Sequence, residues 1–279
     1  MTAAHAERRS KARIVALLAA CFLLAVAAAV AVGVSAVAAQ GDQRQLVPAY
    51  FAPDPEGELW PATCRDMRAA DGGSVAVLNP ADGPGARADS RYADVVADCH
   101  EQGQKVLGYV STRYGARPLT DVTADIDRYY ADYAVDGIFV DEMAESPQDP
   151  ATGQDLRAYY QQVYAHVGQR TPGTELVVGN PGVAAGTDWQ LETPVADVLV
   201  VFEGSAAAYE AWTPPGWIAA HPPERFAHLV HTTPEHALAR VCELAGERGA
   251  GFLYATDDSG ANPWDSLPSY WDRVAPSCG

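Results

Sequence analysis

Three carboxylates stand at the ends of apolar segments in this sequence. Asp141 and Glu142 are adjacent and end the apolar run of "DGIFVDEM" (136–143), and Glu203 ends "DVLVVFE" (197–203). Cleavage of a glycosidic bond uses two carboxyl groups: one protonates the leaving oxygen, and the other acts as nucleophile or activates water. We therefore predict that Asp141, Glu142 and Glu203 are catalytic. We favour Asp141 as nucleophile or base, with Glu203 as its partner.

The adjacent pair has a simpler interpretation, because carboxylates often cap a helix that follows them. The next clear helical pattern begins only near Gly153, after "AESPQDPATG", so capping explains Asp141 and Glu142 poorly. If both approach one cleft, the charge of one should oppose ionisation of the other. Neighbouring residues of a strand point to opposite faces, so we expect the two to have different roles. The alternative to a catalytic role for Glu203 is that of an ordinary loop carboxylate.

Eight short β-rich segments follow residue 40. Most are continuously apolar, which is typical of parallel strands covered on both faces. Helical patterns separate most of them, and this alternation predicts a single (β/α)₈ barrel domain over residues 41–279. An open doubly wound sheet is the alternative. The predicted strands are 46–51, 74–79, 105–110, 137–142, 175–180, 197–203, 225–231 and 250–256, and the clear helices are 89–103, 121–135, 153–170 and 233–249.

Polar and aromatic side chains follow the predicted strands at their carboxyl ends, where barrels of this kind hold their active sites. Aromatic rings there could stack on sugars, and Tyr114 and Trp189 are further candidates for stacking. The alternatives are core packing for the tyrosines, a rim position for the histidine, and a turn for the acidic group after strand 8. The predicted substrate-binding residues are Tyr50, Asn79, Tyr109, Asn180, His231, Tyr254, Asp257 and Trp264.

The first 40 residues have the features of an export segment. A basic patch (8–13) precedes a long apolar stretch (14–39), and Ala36-Val37-Ala38 has the form of a cleavage site. The stretch is also long enough to span a bilayer. Residues 1–40 are therefore either a cleaved signal peptide or an N-terminal membrane anchor. Both interpretations place the remainder outside the cytoplasm, secreted or tethered.

Four of the five cysteines lie beyond the export segment, and an even number in an exported chain predicts two disulfides. Of the three pairings, spacing favours Cys64–Cys99 and Cys242–Cys278, because each would join neighbouring elements. No C-x-x-C or His-rich spacing is present, so we expect no metal site. No glycine-rich phosphate loop follows the first strand, so we expect no nucleotide or other cofactor.

The formal net charge of −17 excludes some partners. Such a surface repels nucleic acid and anionic lipid, and it favours a cationic ligand. Solubility of an exported protein is the alternative explanation for most of this charge. We expect a monomer whose partner is a polysaccharide.

A resemblance to a known family rests on seven segments in order, spread over essentially all of residues 46–271. They are "VPAYFAPDPEGELW" (47–60), "VLNPADGPG" (77–85), "VLGYVSTRYGAR" (106–117), "DGIFVDEM" (136–143), "GNPG" (179–182), "VVFEGS" (200–205) and "YATDDSGANPWDSLPSYW" (254–271). Together they resemble the spherulation-specific family 4, or spherulin-4-like, proteins. The resemblance implies a (β/α)₈ glycoside hydrolase that cuts α-1,4-linked N-acetylgalactosamine stretches of galactosaminogalactan internally. It also implies acidic site residues at Asp141, Glu142 and Glu203.

Two other functions remain open on the sequence alone. One is a non-catalytic carbohydrate-binding barrel at the cell surface. The other is hydrolysis of a different amino-sugar polymer, such as a peptidoglycan or chitin-like chain. The fourth predicted strand is faintly similar to the motif of family 18 chitinases. In that motif the acid lies two residues beyond the last aspartate, whereas here Glu142 follows Asp141 directly.

Overall fold

The computed structural model describes residues 43–54, 56–67, 73–170 and 176–278. The predicted export segment lies outside these residues. Within them, no helix has both the length and the apolar character needed to cross a membrane.

Eight parallel strands close into a barrel in chain order. The prediction of a (β/α)₈ barrel is confirmed, and the open sheet is wrong because the eighth strand pairs with the first. Each strand is buried over most of its length, which explains the continuously apolar segments. The strands are β1 Arg44–Ala49, β2 Val75–Leu78, β3 Lys105–Ser111, β4 Gly137–Asp141, β5 Leu176–Gly179, β6 Val198–Ser205, β7 Phe226–His231 and β8 Phe252–Ala255.

Helices connect the strands around the barrel. The four that the sequence predicts clearly are found, as the second, third, fourth and seventh. No helix begins at the carboxylates that end β4, because residues 142–156 form turns and bends. The cap interpretation of Asp141 and Glu142 is therefore wrong. The helices are α1 Leu59–Asp66, α2 Ser90–Glu101, α3 Leu119–Tyr133, α4 Arg157–Gly168, α5 Trp189–Glu192, α6 Ala206–Ala211, α7 Leu238–Glu247 and α8 Trp271–Ser277.

Two disulfides join neighbouring helices. Cys64 to Cys99 links α1 to α2, and Cys242 to Cys278 links α7 to the residue after α8. Both pairings favoured by the spacing are confirmed. Closing chains of 35 and 36 residues stabilises the fold by about 4 kcal/mol each in the chain-entropy model. Two such bonds fit an oxidising, extracellular environment.

Gly108 in β3 lets α3 approach the barrel closely. A Cβ at this position would lie 2.4 Å from the ring of Tyr129, which is fully buried. We expect Gly108→Ala to lower the free energy of unfolding by about 1–3 kcal/mol, because a packed ring has no space to retreat into. Urea unfolding measures the change. Gly216→Ala is the control, since its Cβ would meet nothing within 4 Å, and equal stability of the two variants would contradict this packing.

Candidate active site

Asp141 lies at the carboxyl end of β4, half-buried at the barrel mouth. The hydroxyl of Tyr109 on the neighbouring β3 donates to Asp141 Oδ2 at 2.6 Å. The side-chain amide of Asn180, after β5, donates to Asp141 Oδ1 at 2.8 Å. The backbone N–H of Glu142 is a third donor. Because three donors converge on Asp141, its carboxylate is held in one orientation in the mouth.

Asn180 joins two of the predicted catalytic groups. Its Nδ2 donates to Asp141 Oδ1 and to Glu203 Oε2, at 2.8 Å in each case. Its Oδ1 accepts from the backbone N–H of Gly182 at 2.8 Å, which fixes the orientation of the amide. The two carboxylate oxygens are therefore no further apart than twice 2.8 Å.

Glu203 owes its position to an irregularity in β6. The register with β7 shifts between Val200 and Phe202, immediately before Glu203. Such shifts re-aim side chains and occur often beside active sites. The backbone N–H of Glu203 also donates to the carbonyl of Gly182 at 2.9 Å, so the loop after β5 is attached to β6.

Glu142 reaches the same mouth as Asp141. β4 ends at Asp141, and Glu142 has a left-handed φ of 48°, so the alternating pattern of a strand no longer applies. The hydroxyl of Ser111 donates to the Glu142 carboxylate. Ser111 lies two residues beyond Tyr109 and on the same face of β3. Asp141 and Glu142 therefore lie side by side at the mouth with different partners.

Burial raises the pKa of both bridged carboxyl groups. For Asp141, hydrogen bonds from Tyr109, Glu142 N–H and Asn180 act against burial, while the charge of Glu142 adds to it. For Glu203, burial has the largest effect and raises the pKa. The hydrogen bond from Asn180 lowers it, and the charge of Asp141 raises it further. The pair is therefore suited to holding one proton between two acids.

The raised pKa of Asp141 predicts a pH-dependent cost in stability. A group with a raised folded-state pKa stabilises the fold below its unfolded pKa, and this stabilisation is lost as pH rises through the folded pKa. We expect Asp141→Asn to melt at a higher temperature than wild type at pH 8. The amide can still accept from Asn180, and the Tyr109 hydroxyl can turn to accept.

Thermal unfolding from pH 3 to pH 8 measures this difference, which should shrink to nothing near pH 3. A wild type more stable than Asp141→Asn at pH 8 would contradict the burial of an ionised Asp141.

Aromatic side chains form one wall of the mouth. The ring of Tyr50, after β1, meets the ring of Tyr109 edge-on at 5.5 Å. The backbone N–H of Tyr50 donates to the carbonyl of Trp264 at 3.0 Å, and the Trp264 side chain hydrogen-bonds to Glu203. His231, at the end of β7, lies against Trp264 with ring centroids 6.0 Å apart. The structure thus brings Tyr50, Tyr109, His231 and Trp264 together around the carboxylates.

Tyr254 differs from the expectation of substrate contact. Its side chain is 0 % exposed and packs beneath Trp264 and Trp271. Its placement supports Trp264 from below and offers no surface to a ligand. Trp189 is likewise buried, and its indole N–H donates to the carbonyl of Glu145 at 2.8 Å, so it is a core residue.

Two predicted residues use their side chains within their own loops. Asn79 Oδ1 accepts from the backbone N–H of Gly83 at 3.0 Å and shapes the turn after β2. Asp257 accepts from the backbone N–H of Ser269 at 3.0 Å and anchors the loop after β8. Neither is bonded to the bridged pair, so their placement supports a role in forming the rim, and substrate contact by either stays a prediction.

Left-handed backbone is concentrated at the same end of the barrel. Of the six non-glycine residues with positive φ in the part that the structure describes, five follow strand ends: Asp82, Arg113, Tyr114, Glu142 and Thr232. Such conformations cost about 1–3 kcal/mol each and persist where the surroundings hold them. The mouth therefore contains more backbone strain than the rest of the described fold.

Residues outside those predicted from the sequence support Glu142. Ser111 donates to its carboxylate, and the hydroxyl of Thr112 donates to its carbonyl at 2.8 Å. Tyr160 on α4 in turn contacts the Thr112 hydroxyl at 3.1 Å. The spacing of Ser111 from Tyr109 on one strand face was the signal that could have identified it. Tyr160 left no such signal, because its partner lies 48 residues away.

The described residues contain no group of three or more His, Cys, Asp and Glu side chains placed to hold a metal ion. A surface cavity of about 480 Å³ lies between α1 and α2, and its lining includes Leu59, Trp60 and Asp98. None of the mouth carboxylates lines it, so this cavity is separate from the candidate site.

The match of this chain to a family model extends over the whole barrel. The family model described as spherulation-specific family 4 matches residues 44–277. The chain belongs to spherulation-specific family 4. Spherulin-4 of Physarum polycephalum, a curated relative, is 27% identical over 245 residues, which cover 83% of this chain and 69% of that protein.

Solved structures share the fold of this family 4 chain. Aspergillus clavatus Sph3, in complex with GalNAc, is 23% identical with a TM-score of 0.70, covering 86% of this chain and 98% of that one. A GH18 chitinase from Pseudoalteromonas aurantia is 12% identical with a TM-score of 0.55, covering 84% and 100%. At these identities the two structures establish the common barrel alone.

Proposed function

We propose that this family 4 protein is an exported, endo-acting glycoside hydrolase that cleaves α-1,4-linked N-acetylgalactosamine or galactosamine in a biofilm or capsule polysaccharide. The observation that carries the proposal is the pair of carboxylates, Asp141 and Glu203, held by one Asn180 amide at the barrel mouth. The GalNAc in the Sph3 complex supports the sugar class. The net charge of −17 supports a polymer that carries free, cationic amines.

The hydrogen bonds around the pair support a division of roles. Asp141 receives three donors, from Tyr109, Asn180 and the N–H of Glu142, which favour its ionised form. Glu203 receives donors from Asn180 and Trp264 and faces the charge of Asp141. Asp141 is accordingly the nucleophile, and Glu203 is the acid that protonates the leaving oxygen. Glu203 then takes a proton from the water that releases the sugar from Asp141.

The separation of the pair bears on stereochemistry. Carboxyl groups about 5–5.5 Å apart belong to retaining enzymes, and groups about 6.5–9.5 Å apart belong to inverting ones. The bridged oxygens, Asp141 Oδ1 and Glu203 Oε2, are at most twice 2.8 Å apart, and a shared donor that holds them this close supports the retaining arrangement. We expect the α configuration to be kept in the product.

Export of the enzyme is part of the proposal. The disulfides Cys64–Cys99 and Cys242–Cys278 support an oxidising compartment. Residues 1–40 supply the signal peptide or the membrane anchor, and the monomeric barrel of residues 41–279 works outside the cell on a polysaccharide.

The decisive experiment is digestion of a panel of polymers, namely galactosaminogalactan, chitosan and chitin, with product masses read by mass spectrometry. We expect oligosaccharides of several lengths from galactosaminogalactan only, with Glu203→Gln as the inactive control. Products from chitosan alone would replace the galactosamine assignment. Binding without any product would favour the non-catalytic barrel.

Trp264 should set part of the pH profile. Its hydrogen bond lowers the pKa of Glu203, so Trp264→Phe raises that pKa. An acid must be protonated to act, and the alkaline limb of kcat/KM therefore moves to higher pH in this variant. Trp271→Phe, a buried tryptophan whose N–H bonds to the carbonyl of Ala62, is the control. Identical alkaline limbs in wild type and Trp264→Phe would contradict Glu203 as the acid.

A further inference from the structure

Exposed apolar side chains are rare on this barrel, and two of them flank the carboxylates. In the described part of the chain, the exposed large hydrophobic residues are Leu59 at 37%, Tyr114 at 57% and Val183 at 48%. Leu59 begins α1 and lines the cavity between α1 and α2, which none of the mouth carboxylates lines. The other two lie on loops that are bonded to the backbone of catalytic residues.

Tyr114 is held beside Glu142 by its own backbone. The N–H of Tyr114 donates to the carbonyl of Glu142 at 2.6 Å. Arg113 and Tyr114 both have left-handed φ, at 48° and 57°, and a Cβ on the next residue, Gly115, would lie 2.9 Å from Leu156. The loop is therefore fixed in a costly conformation whose result is an exposed aromatic ring.

The ring of Tyr114 lies within the field of all three carboxylates. Burial has the largest effect and raises the pKa of Tyr114. The charges of Glu142, Asp141 and Glu203 raise it further, in decreasing order. More than half of the Tyr114 surface nevertheless faces solvent. An exposed ring that a strained loop holds over a cleft is placed to meet a ligand.

Val183 lies on the Glu203 side of the pair. It forms an isolated antiparallel bridge with Phe202, the residue before Glu203. The preceding residue, Gly182, bonds to both Asn180 Oδ1 and the N–H of Glu203. The loop of Tyr114 is thus bonded to Glu142, and the loop of Val183 is bonded to the strand that carries Glu203.

We propose that Tyr114 is the platform on which a sugar ring of the polymer stacks beside the cleavage point, with Val183 bounding the far side of the cleft. This assignment rests on the proposed glycoside hydrolase function, and it adds a reason for the enzyme to prefer one sugar configuration. In a galacto-configured pyranose, the C–H bonds at C3, C4 and C5 share one face, which can pack flat against a tyrosine ring. A gluco-configured ring distributes these bonds over both faces. The platform therefore favours galactosamine over glucosamine polymers.

Kinetics on α-1,4-linked galactosamine oligosaccharides test the platform. We expect Tyr114→Ala to raise KM for an octasaccharide about tenfold and to leave kcat nearly unchanged, because stacking is lost equally in ground state and transition state. Tyr114→Phe should retain the wild-type KM, since the ring face and not the hydroxyl makes the contact. Leu59→Ala, the matched exposed residue on α1, should behave as wild type. An unchanged KM in Tyr114→Ala, or an equal rise in Tyr114→Phe, would overturn the assignment.

Binding to an inactive background separates this inference from the proposed function. Calorimetric titration of the octasaccharide into Glu203→Gln, with and without Tyr114→Ala, should give a dissociation constant about tenfold weaker in the double variant. Equal affinities would overturn the platform alone. No binding to Glu203→Gln would overturn the proposed function and the platform with it. Unchanged melting temperatures in Tyr114→Ala, which keeps a Cβ at the left-handed position, confirm that the loop is intact.

Discussion

Asp141→Asn and Glu203→Gln each lower kcat/KM on the galactosamine polymer, by about 10⁴-fold and about 10²–10⁴-fold respectively. The amide of Asp141→Asn keeps the size of the side chain and has no charge with which to attack the anomeric carbon. The amide of Glu203→Gln keeps its bond with Asn180 and has no acidic proton for the leaving oxygen. Release of reducing ends measures both losses. Asp265→Asn, an exposed carboxylate in the loop after β8, should retain full activity.

A small nucleophile distinguishes the two roles. In Asp141→Ala the space of the lost carboxylate admits azide, which attacks the anomeric carbon and gives a glycosyl azide of inverted configuration. Glu203→Ala with azide should give an azide of retained configuration, because Asp141 still forms the first bond. Full activity in both Asp141→Asn and Glu203→Gln would remove this pair from catalysis.

Asn180→Ala lowers kcat/KM by about 10²–10³-fold, although Asn180 performs no bond chemistry of its own. The variant deletes the donor that lies 2.8 Å from both carboxyl groups and leaves them without a bridge. The lost bond had lowered the pKa of Asp141, so this pKa rises. A nucleophile must be ionised to act, and the acidic limb of the pH profile therefore moves to higher pH.

Asn180→Asp is the matched variant for this prediction, because it keeps the shape and replaces the donor with an acceptor. We expect a loss at least as large as in Asn180→Ala at pH 7, because the new carboxylate has no proton to donate and adds a negative charge beside the pair. Wild-type profiles in both variants would show that the bridge has no role in the reaction.

The barrel could be predicted from the sequence because the burial of each strand is visible in the apolar residues of its own segment. A continuously apolar segment such as 197–203 indicates a strand that is covered on both faces. The polar residue that follows each segment indicates the end of the barrel that is open to solvent. Asp141, Glu203 and Asn180 were placed at the mouth on this basis alone. Their contact across β4, β5 and β6 depends on register and on the shift before Glu203, which no local pattern encodes.

The errors have equally specific causes. Strand alternation does not describe Glu142, because the backbone leaves β4 at Asp141 and turns left-handed. Tyr254 was expected to meet sugar because it ends an apolar run near a strand terminus. It is covered by Trp264, a residue of the loop that follows, and such cover over a strand end leaves no signal in the strand itself.

Proton NMR of octasaccharide hydrolysis, followed from the first minutes, tests the central claim most directly. The pairing of Asp141 with Glu203 across one amide predicts that new reducing ends appear first as the α anomer, and that the β anomer grows only through mutarotation. First appearance of the β anomer would contradict Asp141 as a nucleophile and the pair as it is placed here.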